Sequence, residues 1–284
     1  MKHTYPTKNA FSMLELIFVI VILGIVSSIG ASVIAQVYES YIINRAQYRA
    51  SIKSEQTLNQ ISNRLRYAIP GTVGARATTG SVFIPLTEIS GTATRNVLQW
   101  VGYDGDSFEA IDSDSNRKPG WSGFIDLDAS TTTTLVTPGS NLGLTNEIIG
   151  NLSGSAKLFA DAKLFSPDGI APITVSGGSG ESISVSGLSS GDTITERYKL
   201  AWSSYAIVFE GSDLWLYHNF APTFGVSLPA VTPQNRSLLL SNVTTFSFKG
   251  SEGSIRIKVC QYENMNTNAT ADAARSCKEK IILY

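Results

Sequence analysis

Hydrophobic positions fall into three regimes along the chain. Residues 16–35, LIFVIVILGIVSSIGASVIA, run for twenty positions without a charge or a proline. As a helix, such a run spans roughly 30 Å, the thickness of a bilayer's hydrocarbon core. Beyond it, Val37, Tyr41, Ile42, Tyr48, Ile52, Leu58, Ile61, Leu65, Ala68 and Ile69 recur at intervals of mostly three and four. That spacing predicts an amphipathic continuation of the same helix over 36–70. Pro70-Gly71 stops it, because proline removes a donor and disfavours helix in the residue before it. A single rod from Phe11 to Ile69 is therefore expected, roughly 90 Å long at 1.5 Å per residue. Gly24, Ser27, Ser28, Gly30 and Ser32 weaken its middle, since glycine costs about 1 kcal/mol of helix stability against alanine.

From about residue 81 the period changes to two. Segments 81–90 (SVFIPLTEIS), 96–104 (NVLQWVGYD) and 123–128 (GFIDLD) read as strands. Residues 129–195 are rich in Ser, Thr and Gly, with TTTT at 131–134 and SGGSGESISVSGLSSGD at 176–192. They read as an exposed insertion of small strands and mobile loops. The clearest strands follow: 198–210 and 214–220 form a hairpin across a three-residue turn, Gly211-Ser212-Asp213. Two more strands, SLLLSNVTTFSFKG and SEGSIRIKVCQYE, meet near Gly250–Gly253, and a last one covers Lys278–Tyr284, after Cys277. The fold class is α+β, with one long N-terminal helix packed on an antiparallel β-rich head spanning 71–284.

Composition narrows the function classes. Lys plus Arg is 22 against Asp plus Glu 23, a formal net charge of −1, so the chain has no basic footprint and no nucleic-acid contact is predicted. A 43% hydrophobic and 16% charged composition is the reverse of the bias that keeps chains disordered. Two cysteines and two histidines are too few for a four-cysteine zinc site or a multi-histidine metal centre. No Walker loop or H-E-x-x-H is present, so neither an enzymatic activity nor a cofactor is expected. His218 sits in the alternating strand LWLYHNF as a structural or exposed histidine.

The N-terminus carries the most specific signal. Lys2 and Lys8 precede the apolar run, and Glu39, Arg45 and Arg49 follow it at a distance. The positive-inside rule places the N-terminus in the cytoplasm and the head across the membrane. A secretory signal peptide cut near Gly30 or Ala35 and a plain signal anchor are two readings. Against the first, the run exceeds the ~7–15 residues of a usual h-region, and Glu15 stands at its entrance. The third reading rests on Lys8-Asn9-Ala10-Phe11-Ser12-Met13-Leu14-Glu15-Leu16, which resembles the class III signal of type IV prepilins and pseudopilins. That signal is a short basic leader ending in a small residue, then Phe, with Glu fifth in the mature chain. Ala10 stands where most of the family has Gly, and alanine is small enough to fill that place.

The resemblance implies a leader of residues 1–10, cleavage between Ala10 and Phe11 by a prepilin peptidase, and N-methylation of Phe11. It implies a polymerisation helix over 11–35 and a role for Glu15 in assembly, its carboxylate meeting the Phe11 amine of a neighbouring subunit. A carboxylate entering hydrocarbon costs about 2.5–3.5 kcal/mol, so Glu15 needs a partner. A capping box with Ser12 as N-cap is the other use for Glu15. Partners would be the peptidase, other pilin or pseudopilin subunits, and inner-membrane lipid before assembly. The chain would sit in the inner membrane as a single-pass protein with a periplasmic head, then pass into a pilus or pseudopilus. Residues 237–263 more loosely resemble J-type minor pseudopilins and W-type minor pilins. An exported head favours a Cys260–Cys277 bridge, and pilins of this type often carry a C-terminal cystine loop; two unpaired buried thiols are the alternative.

Three weaker features complete the reading. Asp112, Asp114 and Asn116 begin like an EF-hand loop, but Arg117 replaces the required Gly and Gly123 the closing Glu, leaving a weak calcium candidate beside a solvated acidic loop. N-x-S/T sequons begin at Asn151, Asn235, Asn242 and Asn268, none with an acidic residue two positions earlier. The insertion 129–195 offers a surface for ligand contact. The function expected is a structural minor pilin or pseudopilin of a type IV pilus, type II secretion or competence apparatus. The rival is an adhesive subunit that binds through the insertion.

Overall fold

The structure is a computed structural model and describes residues 12–89, 95–113, 117–167, 171–189, 191–192, 194–251, 253–264 and 274–284. Helix α1 runs unbroken from Met13 to Leu65, and its 53 residues make a rod of about 80 Å. Ser12 is extended and starts the helix, its Oγ accepting the Glu15 N–H at 3.3 Å. The helix ends four residues before Ile69. The Tyr67 and Ala68 amides turn back to Arg64 O and Leu65 O, and the Ile69 amide donates to Val101 O at 2.9 Å. Pairing with the head therefore captures the backbone before Pro70 has to break it.

After α1 come β1 (Gly74–Arg76), β2 (Ile84–Pro85), β3 (Val97–Gly102) and the short helix α2 (Gly105–Glu109). β4 (Thr134–Val136), α3 (Leu142–Ser153), β5 (Lys163–Phe165), β6 (Ile173–Ser179), β7 (Ser182–Ser186) and β8 (Lys199–Ala201) follow. Next are β9 (Ser203–Glu210), β10 (Asp213–Phe220), β11 (Arg236–Leu240), β12 (Val243–Ser251), β13 (Ser254–Tyr262) and β14 (Arg275–Leu283). They form three antiparallel sheets, ordered β11-β10-β9-β3-β1-β2, β12-β13-β14 and β4-β7-β6-β5-β8.

The principal core lies between α1 and the first two sheets. Leu58, Ile61 and Leu65 of α1 are buried with Leu98, Trp100 and Leu216 of the six-stranded sheet and with Ile255, Ile257, Val259 and Ile282 of the three-stranded one. Burying each such side chain stabilises by about 1.5–3 kcal/mol. Alternation sets the facing: Ile255, Ile257 and Val259 point inward along β13, while Arg256 and Lys258 point out. This is the α+β layout that the sequence predicts, a long N-terminal helix packed on antiparallel sheets.

A second core corrects the reading of 129–195. The small strands expected there are present, but they supply four of the five strands of the third sheet and, with α3, enclose a buried core instead of lying exposed. Leu135, Leu142, Ile149, Phe159, Leu164 and Ile183 are buried there with Trp121 and Leu200. Asn141 caps α3 by accepting the Leu144 N–H, and Gly154 ends it at φ 63°, a left-handed conformation suited to glycine. Residues 176–186 of the Gly-rich stretch lie in the β6–β7 hairpin.

Other expectations shift. Only Ile84–Pro85 of 81–90 is a strand, and 123–128 makes just isolated bridges, Phe124 to Arg197 and Asp126 to Val136. The run 198–210 divides at Trp202, where the chain passes from β8 in the third sheet to β9 in the first. The β9–β10 turn has two residues, since Glu210 and Asp213 already pair. The last strand starts at Arg275 and so contains Cys277. Arg76, buried without a carboxylate, fastens the loop after β10: its Nε donates to Gln99 Oε1 at 2.9 Å, and Nη2 to Gly225 O and Val226 O at 2.8 and 2.9 Å.

Candidate functional site

The two halves of α1 are built differently. From Met13 to Val37 every large apolar side chain is more than half exposed, Ile20 at 60% and Leu23 at 65% among them. This part of α1 is the one helical segment among the described residues that is long and apolar enough to cross a membrane. Glu15 lies in its first turn and is exposed. Farther along, the Ser32 hydroxyl donates to Ile29 O at 2.8 Å, so it carries no unmet donor into an apolar surrounding. Ala10 and Phe11, the proposed cleavage pair, lie outside the described residues.

The second half is fixed to the head. Lys53 pairs with Glu263, Lys278 lies 4.0 Å from Glu55, and Lys280 Nζ donates to Asn59 Oδ1 at 2.8 Å. Two of these lysines come from β14. That strand is itself secured by the Cys260–Cys277 disulfide, formed between directly opposed residues of β13 and β14 with Cα atoms 4.0 Å apart. The bridge is thus a rung of the sheet beneath α1, not a staple placed ahead of the final strand.

Where α1 ends, the two cores meet around Asp104. Its amide donates to Leu200 O at 2.7 Å, its carbonyl accepts from Trp121 Nε1 at 2.9 Å, and Oδ1 accepts the Ser107 N–H at 3.2 Å. Oδ2 is buried with no hydrogen-bond partner among the described residues, and burial pushes the carboxyl pKa up to about 6. Beside this junction a cleft of about 470 Å³ opens between the end of α1, the six-stranded sheet and Leu152 of α3. His218 lines it, half-buried, with Nε2 3.2 Å from Ser237 Oγ. Burial lowers the His218 pKa, and the Arg64 charge lowers it further.

The remaining candidates are dispersed. Asp112 Oδ2 accepts from Asn141 Nδ2 and its amide donates to Lys118 O, so this carboxylate is committed to the start of α3. Asp114 and Asn116 lie outside the described residues. Among the described residues no group of three or more His, Cys, Asp or Glu side chains could hold a metal ion. Asn151 is exposed on α3, Asn242 turns the chain between β11 and β12 at φ 57°, and Asn268 lies outside the described residues. The cleft went unread in the sequence because its walls come from residues 60–67, 103–106, 152, 202–205 and 216–239, which no local spacing connects.

Comparison with protein-family models, with curated proteins and with solved structures finds no match to this chain.

Proposed function

We propose that this chain is a structural subunit of a pilin-like filament, a minor pilin or pseudopilin, and that the first half of α1 is its assembly element. One observation carries the reading. A single continuous helix presents an apolar surface that none of the described residues covers in its first half, with a carboxylate in its opening turn, and anchors a folded head through its second half. Such a surface requires lipid or other helices around it. Before assembly the segment spans the inner membrane with the N-terminus in the cytoplasm and the head in the periplasm. A prepilin peptidase removes residues 1–10, and the subunit then enters a type IV pilus, type II secretion or competence pseudopilus. Glu15 pairs there with the Phe11 amine of a neighbouring subunit.

Intact mass and N-terminal sequencing of membrane-extracted protein test this reading. The expected chain begins at methylated Phe11, and Glu15→Ala is processed normally but incorporated poorly. Removing one member of a buried pair typically costs about 3–5 kcal/mol, enough to decide assembly. A mature chain beginning near Ala31 or Gln36 restores the secretory-signal reading. Normal incorporation of the alanine variant assigns Glu15 to capping.

A further inference from the structure

We propose that the cleft at the end of α1 is a binding site for a small saccharide. Its volume, about 470 Å³, falls within the roughly 300–1,000 Å³ of small-molecule sites, and it lies where two separately packed cores meet, a common place for such sites. That volume suits a mono- or disaccharide rather than a folded partner.

The polar wall is unusual for this helix. Lys53, Glu55 and Asn59 of α1 are taken up by contacts to the head. Gln60, Asn63 and Arg64, one turn on and spaced to share a face, line the cleft with side chains that have no hydrogen-bond or ion-pair partner among the described residues. Asp106 adds a carboxylate that makes no ion pair among the described residues. Two amides, a guanidinium and a carboxylate are planar groups with paired donor or acceptor positions, the complement of neighbouring hydroxyls on a sugar ring.

The aromatic wall supplies the other half of the recognition. Tyr67, Tyr103 and Tyr205 are half-buried and held in place. Tyr67 meets Tyr103 edge-on at 5.1 Å and donates from its hydroxyl to Glu109, while Tyr205 stacks on Trp100 at 5.9 Å. Rings fixed in this way offer apolar surface at small entropic cost, which suits the C–H face of a pyranose. A purely apolar ligand would strand the open amides, and a simple anion would face Asp106 as well as Arg64.

The test uses full-length detergent-solubilised protein with glucose, N-acetylglucosamine and glucuronate, and with acetate as a control. Binding is read by saturation-transfer NMR and by tryptophan fluorescence, to which Trp202 in the cleft contributes. At least one sugar should bind saturably at millimolar concentration. Asn63→Ala and Arg64→Ala should each weaken that binding tenfold or more with an unchanged thermal midpoint, because neither exposed side chain supports the fold. No saturable sugar binding, undiminished binding in both variants, or acetate binding as well as glucuronate would each overturn the proposal. This site does not depend on the assembly role, since the head can bind a sugar whether or not the chain polymerises.

Discussion

Leu65 and Ile20 lie on the same helix, yet one is 0% and the other 60% exposed. Both halves of α1 are rich in apolar residues, so hydrophobicity alone does not separate them. Distribution does. The second half buries Ala46, Ala50, Leu58, Ile61 and Leu65 along one stripe and leaves charged residues outside it. The first half is apolar all round, and none of the described residues packs against it. A stripe specifies a fold within one chain, whereas an all-round apolar cylinder specifies an environment.

Substitution should separate the halves sharply. Leu65→Ala removes a fully buried side chain from the principal core and should cost the head about 2–5 kcal/mol. Ile20→Ala should leave the head's denaturant midpoint unchanged in detergent and alter only membrane retention or filament incorporation. Equal losses of head stability from the two variants would mean that the first half packs on the head in solution, and the contrast would disappear.

The disulfide offers a slightly smaller contrast. Cys260 and Cys277 are separated by 17 positions, and closing such a loop is worth about 3 kcal/mol on the chain-entropy model. A Cys260→Ser, Cys277→Ser double variant should lower the unfolding free energy by about that amount. It should also speed amide exchange in β14 and in residues 46–65 of α1, which rest on that strand, with residues 13–35 unaffected. Alkylation should find both sulfurs blocked until reduction, and free thiols in the purified protein would remove the premise.

The sequence made the helix legible because its two periodic signals are long: an uncharged run of twenty residues, then a stripe that recurs over seven turns or so. The hairpin of β9 and β10 was equally visible, being two full alternating strands about a Gly-containing turn. The second core was not. β4 and β5 have three residues each, too short for alternation to register, and β8, also three residues, was legible only as the start of the longer run 198–210, with no sign that it joins a different sheet. Yet α3 did leave a signal: Asn141 ahead of Leu142 and Gly154 after Ser153 are the cap residues at either end. For the candidate site, Glu15 was legible at the entrance to the uncharged run. The cleft, assembled from five separate segments, was not.

The smallest effect expected sharpens the comparison where α1 hands over to the head. Tyr67, just past the helix, accepts the Tyr103 N–H at 2.8 Å, and Asp104 follows immediately in the buried junction. Burial raises the Asp104 pKa from 3.8 to about 6, hydrogen bonding from Ser107 and Trp202 opposes the rise, and the nearby Asp106 charge adds to it. The folded state therefore binds this proton more tightly than the unfolded state does. Asp104's contribution to stability is greatest below pH 3.8 and falls as pH rises through about 6, where a charged carboxylate is held in a buried place. The loss across that window is at most about 3 kcal/mol. Asp104→Asn should flatten this part of the pH profile and stabilise the head at neutral pH. The exposed half of α1 should show no matching dependence in membrane retention. Denaturant midpoints at pH 4, 5, 6 and 7, as differences between wild type and Asp104→Asn, isolate the contribution from those of other carboxylates. Parallel profiles would mean that water reaches Asp104, and that the junction between the two cores is open rather than sealed.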